Sequence, residues 1–142
     1  MNYSTIVNNK IISIVLTNLT NIEAIYLFGS YGTDNYSLKS DLDIAVLFDV
    51  ETAKSVDFWL LLNTADKIAE EIHVAKVDLI NLRCVNTVFK KEIIMADKRI
   101  YCANQYGADE FEMLTLSYYQ KLNEERKEIL QSFLKTKRAY NL

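Results

Sequence analysis

Apolar residues recur along this chain at two different periods, and the switches between them lay out a mixed order of helices and strands. In the opening segment Ile11, Ile12, Val15, Leu16 and Leu19 fall one, three or four apart, which is one face of an amphipathic helix ending near 18–21. Residues 23–28 and 41–48 are rich in β-branched and aromatic side chains and read as two strands. From 55 to 71 the period is helical again: Trp59, Leu62, Ala65, Ile68, Ala69 and Ile72 form the apolar face, with Asp66, Lys67, Glu70 and Glu71 outward. A third strand is expected over 74–82, and a third helix from Asn86, an N-cap residue type, to 97. A short fourth strand follows at Arg99–Cys102.

The last segment, 107–138, spaces Phe111, Leu114, Tyr118, Leu122, Ile129 and Phe133 mostly three or four apart. Asp109, Glu110 and Glu112 stand at its start and Lys135, Lys137 and Arg138 at its end, which complements a helix macrodipole. One long helix is expected there, with room for a kink or break, and the mixed charges from Lys121 to Glu128 read as a solvated face, with a partner surface as the alternative. The order of elements predicts an α/β (α+β) fold with a small sheet covered by helices. At 142 residues it predicts one domain over 1–142, with a core at about 22–102 and a C-terminal helical segment at about 107–138.

Composition narrows the chemistry. Half of the residues are hydrophobic and a quarter charged, the profile of a soluble globular protein. The net charge of -3 argues against binding nucleic acid by bulk electrostatics, which needs a concentrated basic face. Cys84 and Cys102 form no CxxC and follow no secretory leader, so reduced thiols in a cytoplasmic protein are expected. His73 is the only histidine, and its position reads as a helix end, which removes Ser-His-Asp and histidine-zinc chemistry elsewhere. No apolar run approaches a membrane span.

Between the first two strands lies Gly29-Ser30-Tyr31-Gly32, and ten intervening positions after Ser30 comes Asp41-Leu42-Asp43. Alternation along a strand turns Asp41 and Asp43 to one face and Leu42, Ile44, Val46 and Phe48 to the other. Two neighbouring carboxylates repel unless a cation sits between them, and magnesium is held by carboxylate, water and phosphate oxygens. Asp78, flanked by Val77 and Leu79, is the one further carboxylate inside a strand and is the candidate to complete a two-metal site. Glu23, Asp34 and Asp49 sit at strand or turn ends, where solvation suffices. Gly29 and Ser30 offer a close backbone approach, N–H donors and a hydroxyl to phosphate oxygens, and Lys39 is the only cation in the turn. Gly-Ser turns and Asp-x-Asp pairs are each common by themselves. Their joint spacing between two strands favours a functional site.

Gly29-Ser30, ten positions, then Asp41-Leu42-Asp43 resembles the GSx10DxD signature of the polymerase-beta-type nucleotidyltransferase superfamily. Val77-Asp78-Leu79-Ile80-Asn81-Leu82 and the following Lys90-Lys91-Glu92-Ile93-Ile94 resemble its minimal nucleotidyltransferase (MNT) branch. The resemblance implies a small mixed-sheet nucleotidyltransferase fold and transfer of a nucleoside monophosphate from a triphosphate. In that branch such proteins are antitoxins of HEPN-domain ribonuclease toxins, joined to them in hetero-oligomeric complexes, and several modify a toxin tyrosine with AMP from ATP. It further implies that Asp41, Asp43 and Asp78 bind two Mg2+ ions, that one of them, Asp78 foremost, deprotonates the tyrosyl hydroxyl, and that Gly29, Ser30 and Lys39 hold the triphosphate. Where many relatives carry an arginine past the serine, this chain reads Tyr31-Gly32-Thr33-Asp34-Asn35-Tyr36, so fewer positive charges face the phosphates. Two other functions compete: an MNT module that neutralises its toxin by binding alone, and a small-molecule nucleotidyltransferase, which usually needs a further domain to shape an acceptor pocket.

Overall fold

The computed structural model describes residues 3–29 and 41–140, with side chains to residue 137. Helix α1 (Tyr3–Asn18) leads into β1 (Ile22–Phe28), and β2 (Leu42–Phe48) returns antiparallel beside it. A one-turn helix α2 (Val50–Ala53) and helix α3 (Phe58–Ile72) carry the chain to β3 (Val77–Asn81), which lies parallel to β2. A 3-10 turn (Leu82–Cys84), helix α4 (Thr87–Met95), β4 (Arg99–Cys102) and helix α5 (Gln105–Tyr140) complete the order. The sheet runs β3-β2-β1-β4, with β4 antiparallel to β1.

Alternation along the two central strands feeds two apolar layers. Ile25, Leu27, Leu42, Ile44, Val46 and Phe48 pack with α1 and α3, whose contributions include Ile11, Val15, Leu61, Ala65 and Ile68. On the other face Ala24, Tyr26, Ala45 and Leu47 meet Leu82, Ile93, Ala108 and Phe111 from the 3-10 turn, α4 and α5. With helices on both faces, β2 is buried along its whole length except at Asp43.

Local chemistry sets the helix ends. The Asp49, Asp57 and Asn86 side chains accept hydrogen bonds from Thr52 N, Trp59 N and Phe89 N, capping α2, α3 and α4. His73, at φ 60°, ends α3 in the left-handed conformation, at the helix end expected for it. The Asp57 cap explains why the helix expected from 55 starts at Phe58, and Asp49 caps a further short helix, α2, that lies before the expected range. The buried face of α3 is also different. Leu61, Thr64, Ala65, Ile68 and Ile72 point inward, while Trp59 and Leu62, expected in the core, are exposed. Strand β3 begins three residues later than expected, because His73 must first reverse the chain. The C-terminal helix runs unbroken for 36 residues.

Glu23 corrects a further expectation, since it is not solvated. Its carboxylate accepts a 2.9 Å bond from Arg83 Nη2, with the two side chains only 13% and 20% exposed. Arg83 Nε donates to Phe48 O, and the guanidinium lies 5.3 Å from the centre of the Phe111 ring. The pair thus ties the start of β1 to the end of β2 and to α5.

Removing one partner leaves the other charge poorly solvated, so Arg83→Ala should lower unfolding free energy in urea titration by roughly 2–4 kcal/mol. The double variant Glu23→Gln/Arg83→Met should lose less than the sum of the single changes. A loss below about 1 kcal/mol for Arg83→Ala would mean that the pair acts like an exposed ion pair.

Candidate active site

Asp43 is the single half-buried residue of an otherwise buried strand, and the sheet register decides what surrounds it. It lies opposite Phe28 on β1 and opposite Asp78 on β3. Residues in register on neighbouring strands project to the same face, so the two carboxylates stand side by side.

Gly29 follows Phe28 directly, with φ +77°. A Cβ there would collide with Asp43 Oδ2 and lie 3.2 Å from Asp43 Cγ. Only glycine satisfies both the left-handed backbone and the closeness of the carboxylate. The strand order therefore places the glycine turn on the β1 side of Asp43 and Asp78 on the β3 side.

Burial pushes the Asp43 carboxyl up to about 6, reinforced by the Asp78 charge, by a hydrogen bond shared with Asp78 and by the Asp41 charge. Lys76 pulls the other way. Lys76 Nζ lies 3.5 Å from Asp78 Oδ1. Sequence reasoning missed this lysine, although it stands two residues before Asp78, the spacing that shares one face of a strand. Asp41 lies just before β2 with an exposed side chain, near enough for its charge to act on Asp43. Ser30 and Lys39, like the Tyr31 to Tyr36 segment, lie outside the described residues.

A cavity of about 290 Å³ opens beside the carboxylates. Its walls include Phe28, Phe89, Phe58 and Leu62, with Phe28 and Phe89 edge to face at 5.4 Å between ring centres. The cap at Asn86 sets the backbone of Phe89 and so its place in this wall. A larger cavity, about 530 Å³, is lined by Glu23, Arg83, Lys90 and Phe111 among others, at the opposite end of β1 and β2. It contains none of the three aspartates, and the smaller cavity is the one that bears on their chemistry.

Residues 9–106 match the family described as polymerase beta, nucleotidyltransferase. The chain belongs to that family. It is 34% identical to protein adenylyltransferase MntA of Shewanella oneidensis over 89% of this chain and 86% of the relative. Its structure is similar to that of a chain in a toxin-antitoxin crystal structure with AMP-PNP, at TM-score 0.73 and 31% identity over 89% of this chain and 98% of the other. It is likewise similar to a chain in the structure of a tri-AMPylated Shewanella oneidensis HEPN toxin in complex with MNT antitoxin, at TM-score 0.69 and 30% identity, covering 91% and 97%. The mixed sheet with its long C-terminal helix is thus the nucleotidyltransferase fold expected.

The nucleotidyltransferase family implies a divalent cation, and the donor set fits one. Asp43 and Asp78 offer only oxygen ligands, and positive charge between them would offset the burial and repulsion that raise the Asp43 carboxyl. Among the described residues no three acidic, histidine or cysteine side chains already converge as a closed metal cluster. Asp43 and Asp78 adjoin, and Asp41 stands exposed just before β2.

Two outcomes check this geometry. The Asp43 carboxyl is raised in the folded state, so that state holds more protons than the unfolded chain between about pH 4 and pH 6. In magnesium-free buffer its contribution to stability is complete below that window and is lost as pH rises through it, whereas Asp43→Asn should remove this slope in thermal melts. Gly29→Ala should destabilise the fold by about 1 kcal/mol or more and weaken AMP-PNP binding in calorimetry. Unchanged binding would separate Gly29 from the nucleotide.

Proposed function

We propose that this chain is an antitoxin that transfers AMP from ATP to a tyrosine hydroxyl of a HEPN-domain ribonuclease toxin, neutralising it and releasing pyrophosphate. The observation that carries this reading is the placement of Gly29, Asp43 and Asp78 around one point of the sheet, in a chain 34% identical to a protein adenylyltransferase. The relative found with a tri-AMPylated HEPN toxin supports the same acceptor class.

In this reading Asp41, Asp43 and Asp78 hold magnesium, two ions in number, while Gly29, Ser30 and Lys39 hold the triphosphate. Bound magnesium neutralises phosphate charge and lowers the pKa of the attacking hydroxyl. Asp78 takes the hydroxyl proton as the tyrosyl oxygen bonds to the α-phosphorus and the bond to pyrophosphate breaks. Phe28 and Phe89 shield one side of the reacting groups from water. Lys76, 3.5 Å from Asp78 Oδ1, would share that carboxylate with a bound cation.

A second reading, neutralisation by binding alone, draws on the far part of α5, where Ile129, Leu130, Phe133 and Leu134 are exposed.

The purified pair of this chain and its HEPN partner, incubated with ATP and magnesium, separates the two by intact mass. The partner should gain mass in AMP units, and Asp41→Asn/Asp43→Asn should abolish the gain. Full neutralisation of ribonuclease activity without any mass gain would instead establish occlusion.

A further inference from the structure

We propose that the exposed apolar start of α3, formed by Phe58, Trp59 and Leu62, is the surface on which the protein acceptor docks to present its hydroxyl to Asp78. The inference rests on the adenylyl-transfer reading and adds the place where the acceptor binds.

These side chains need an explanation that the fold itself does not give. Phe58 is 67% and Trp59 66% exposed, and Leu60 and Leu62 are exposed beside them. Large apolar residues gathered within two helical turns are unusual for a solvated surface and mark contact sites. The backbone that carries them is fixed, since Asp57 caps α3 through Trp59 N. The two rings meet edge to face, 6.0 Å between centres. Aromatic side chains held this way offer large contact area at small entropic cost.

Position selects the occupant. Phe58 and Leu62 line the same cavity as Asp43 and Asp78, so the patch continues into the site. Strand order puts Gly29 on the β1 side of Asp43, and Asp78, with α3 packed on β3, on the other. Displacement at the α-phosphorus is roughly in line, so the attacking oxygen enters opposite the departing pyrophosphate. With the phosphates held at Gly29, the acceptor comes from the β3 side. That is where the patch lies.

The test compares wild type with Phe58→Ala/Trp59→Ala and, separately, with Leu62→Lys, which keeps both rings and places a charge in the patch. Matching thermal melts establish that each variant is folded. Affinity for the HEPN partner is measured by calorimetry without ATP, AMP-PNP affinity with magnesium, and transfer by intact mass. Both variants should bind the HEPN partner at least about tenfold more weakly and raise its KM by a similar factor, with AMP-PNP affinity unchanged. Unchanged HEPN affinity and KM would overturn the proposal while leaving transfer intact. Loss of AMP-PNP binding would reassign the patch to the nucleotide and also overturn it. A wild-type dimer in light scattering that both variants dissociate, with HEPN affinity unaltered, would make the patch a contact between two copies of this chain. If HEPN affinity falls in the variants while wild type transfers no AMP, the docking surface stands and the transfer reading fails.

Discussion

Pairing β2 with β3 in parallel register forces Asp43 and Asp78 together, and this enforced proximity of two like charges organises one end of the molecule. Nothing in the apolar layers requires it. Ile44, Val46, Val77 and Leu79 would hold the two strands equally well with neutral residues in place of the aspartates. The fold accepts the repulsion because a strand buried on both faces is too well anchored to slip register and relieve it. What remains free to adjust is protonation, and the Asp43 carboxyl adjusts.

The same strand supplies order at its other end. Phe48 O accepts from Arg83, whose guanidinium reaches Glu23 and the Phe111 ring. A charged knot thus closes the end of the sheet distant from the aspartates, and α5 begins against it, with Gly107 close enough to Glu23 that a Cβ would crowd the carboxylate. One end of β2 is held by an ion pair and the other brings two like charges together. Stability and reactivity are divided along a single strand.

Much of this was legible in the sequence where one local force dominated. Enrichment in β-branched and aromatic residues placed β1 and β2 to within a residue, and the Asn86 cap fixed the start of α4. The choice of Asp78 as partner to Asp43 followed from its lone place in an apolar strand, and the register brings the two together. Periodicity failed on α3 because two helical stripes, one through Trp59 and Leu62 and one through Leu61 and Ala65, fit the spacing equally, and only packing on the sheet selects between them. Glu23 was misread because its partner Arg83 is 60 residues away, a contact that no local pattern records. Lys76 is illegible for a different reason: it reaches Asp78 from just before β3, and its exposed side chain carries no pattern that marks it as part of the site.

The raised Asp43 carboxyl makes loading of the site below about pH 6 an exchange rather than a simple addition. There a cation entering between the carboxylates would displace the Asp43 proton to the solvent, so the heat of binding would include the ionisation of whatever buffer receives it. Acid and magnesium then compete for the same carboxylate, the one favouring its neutral form and the other its charged form.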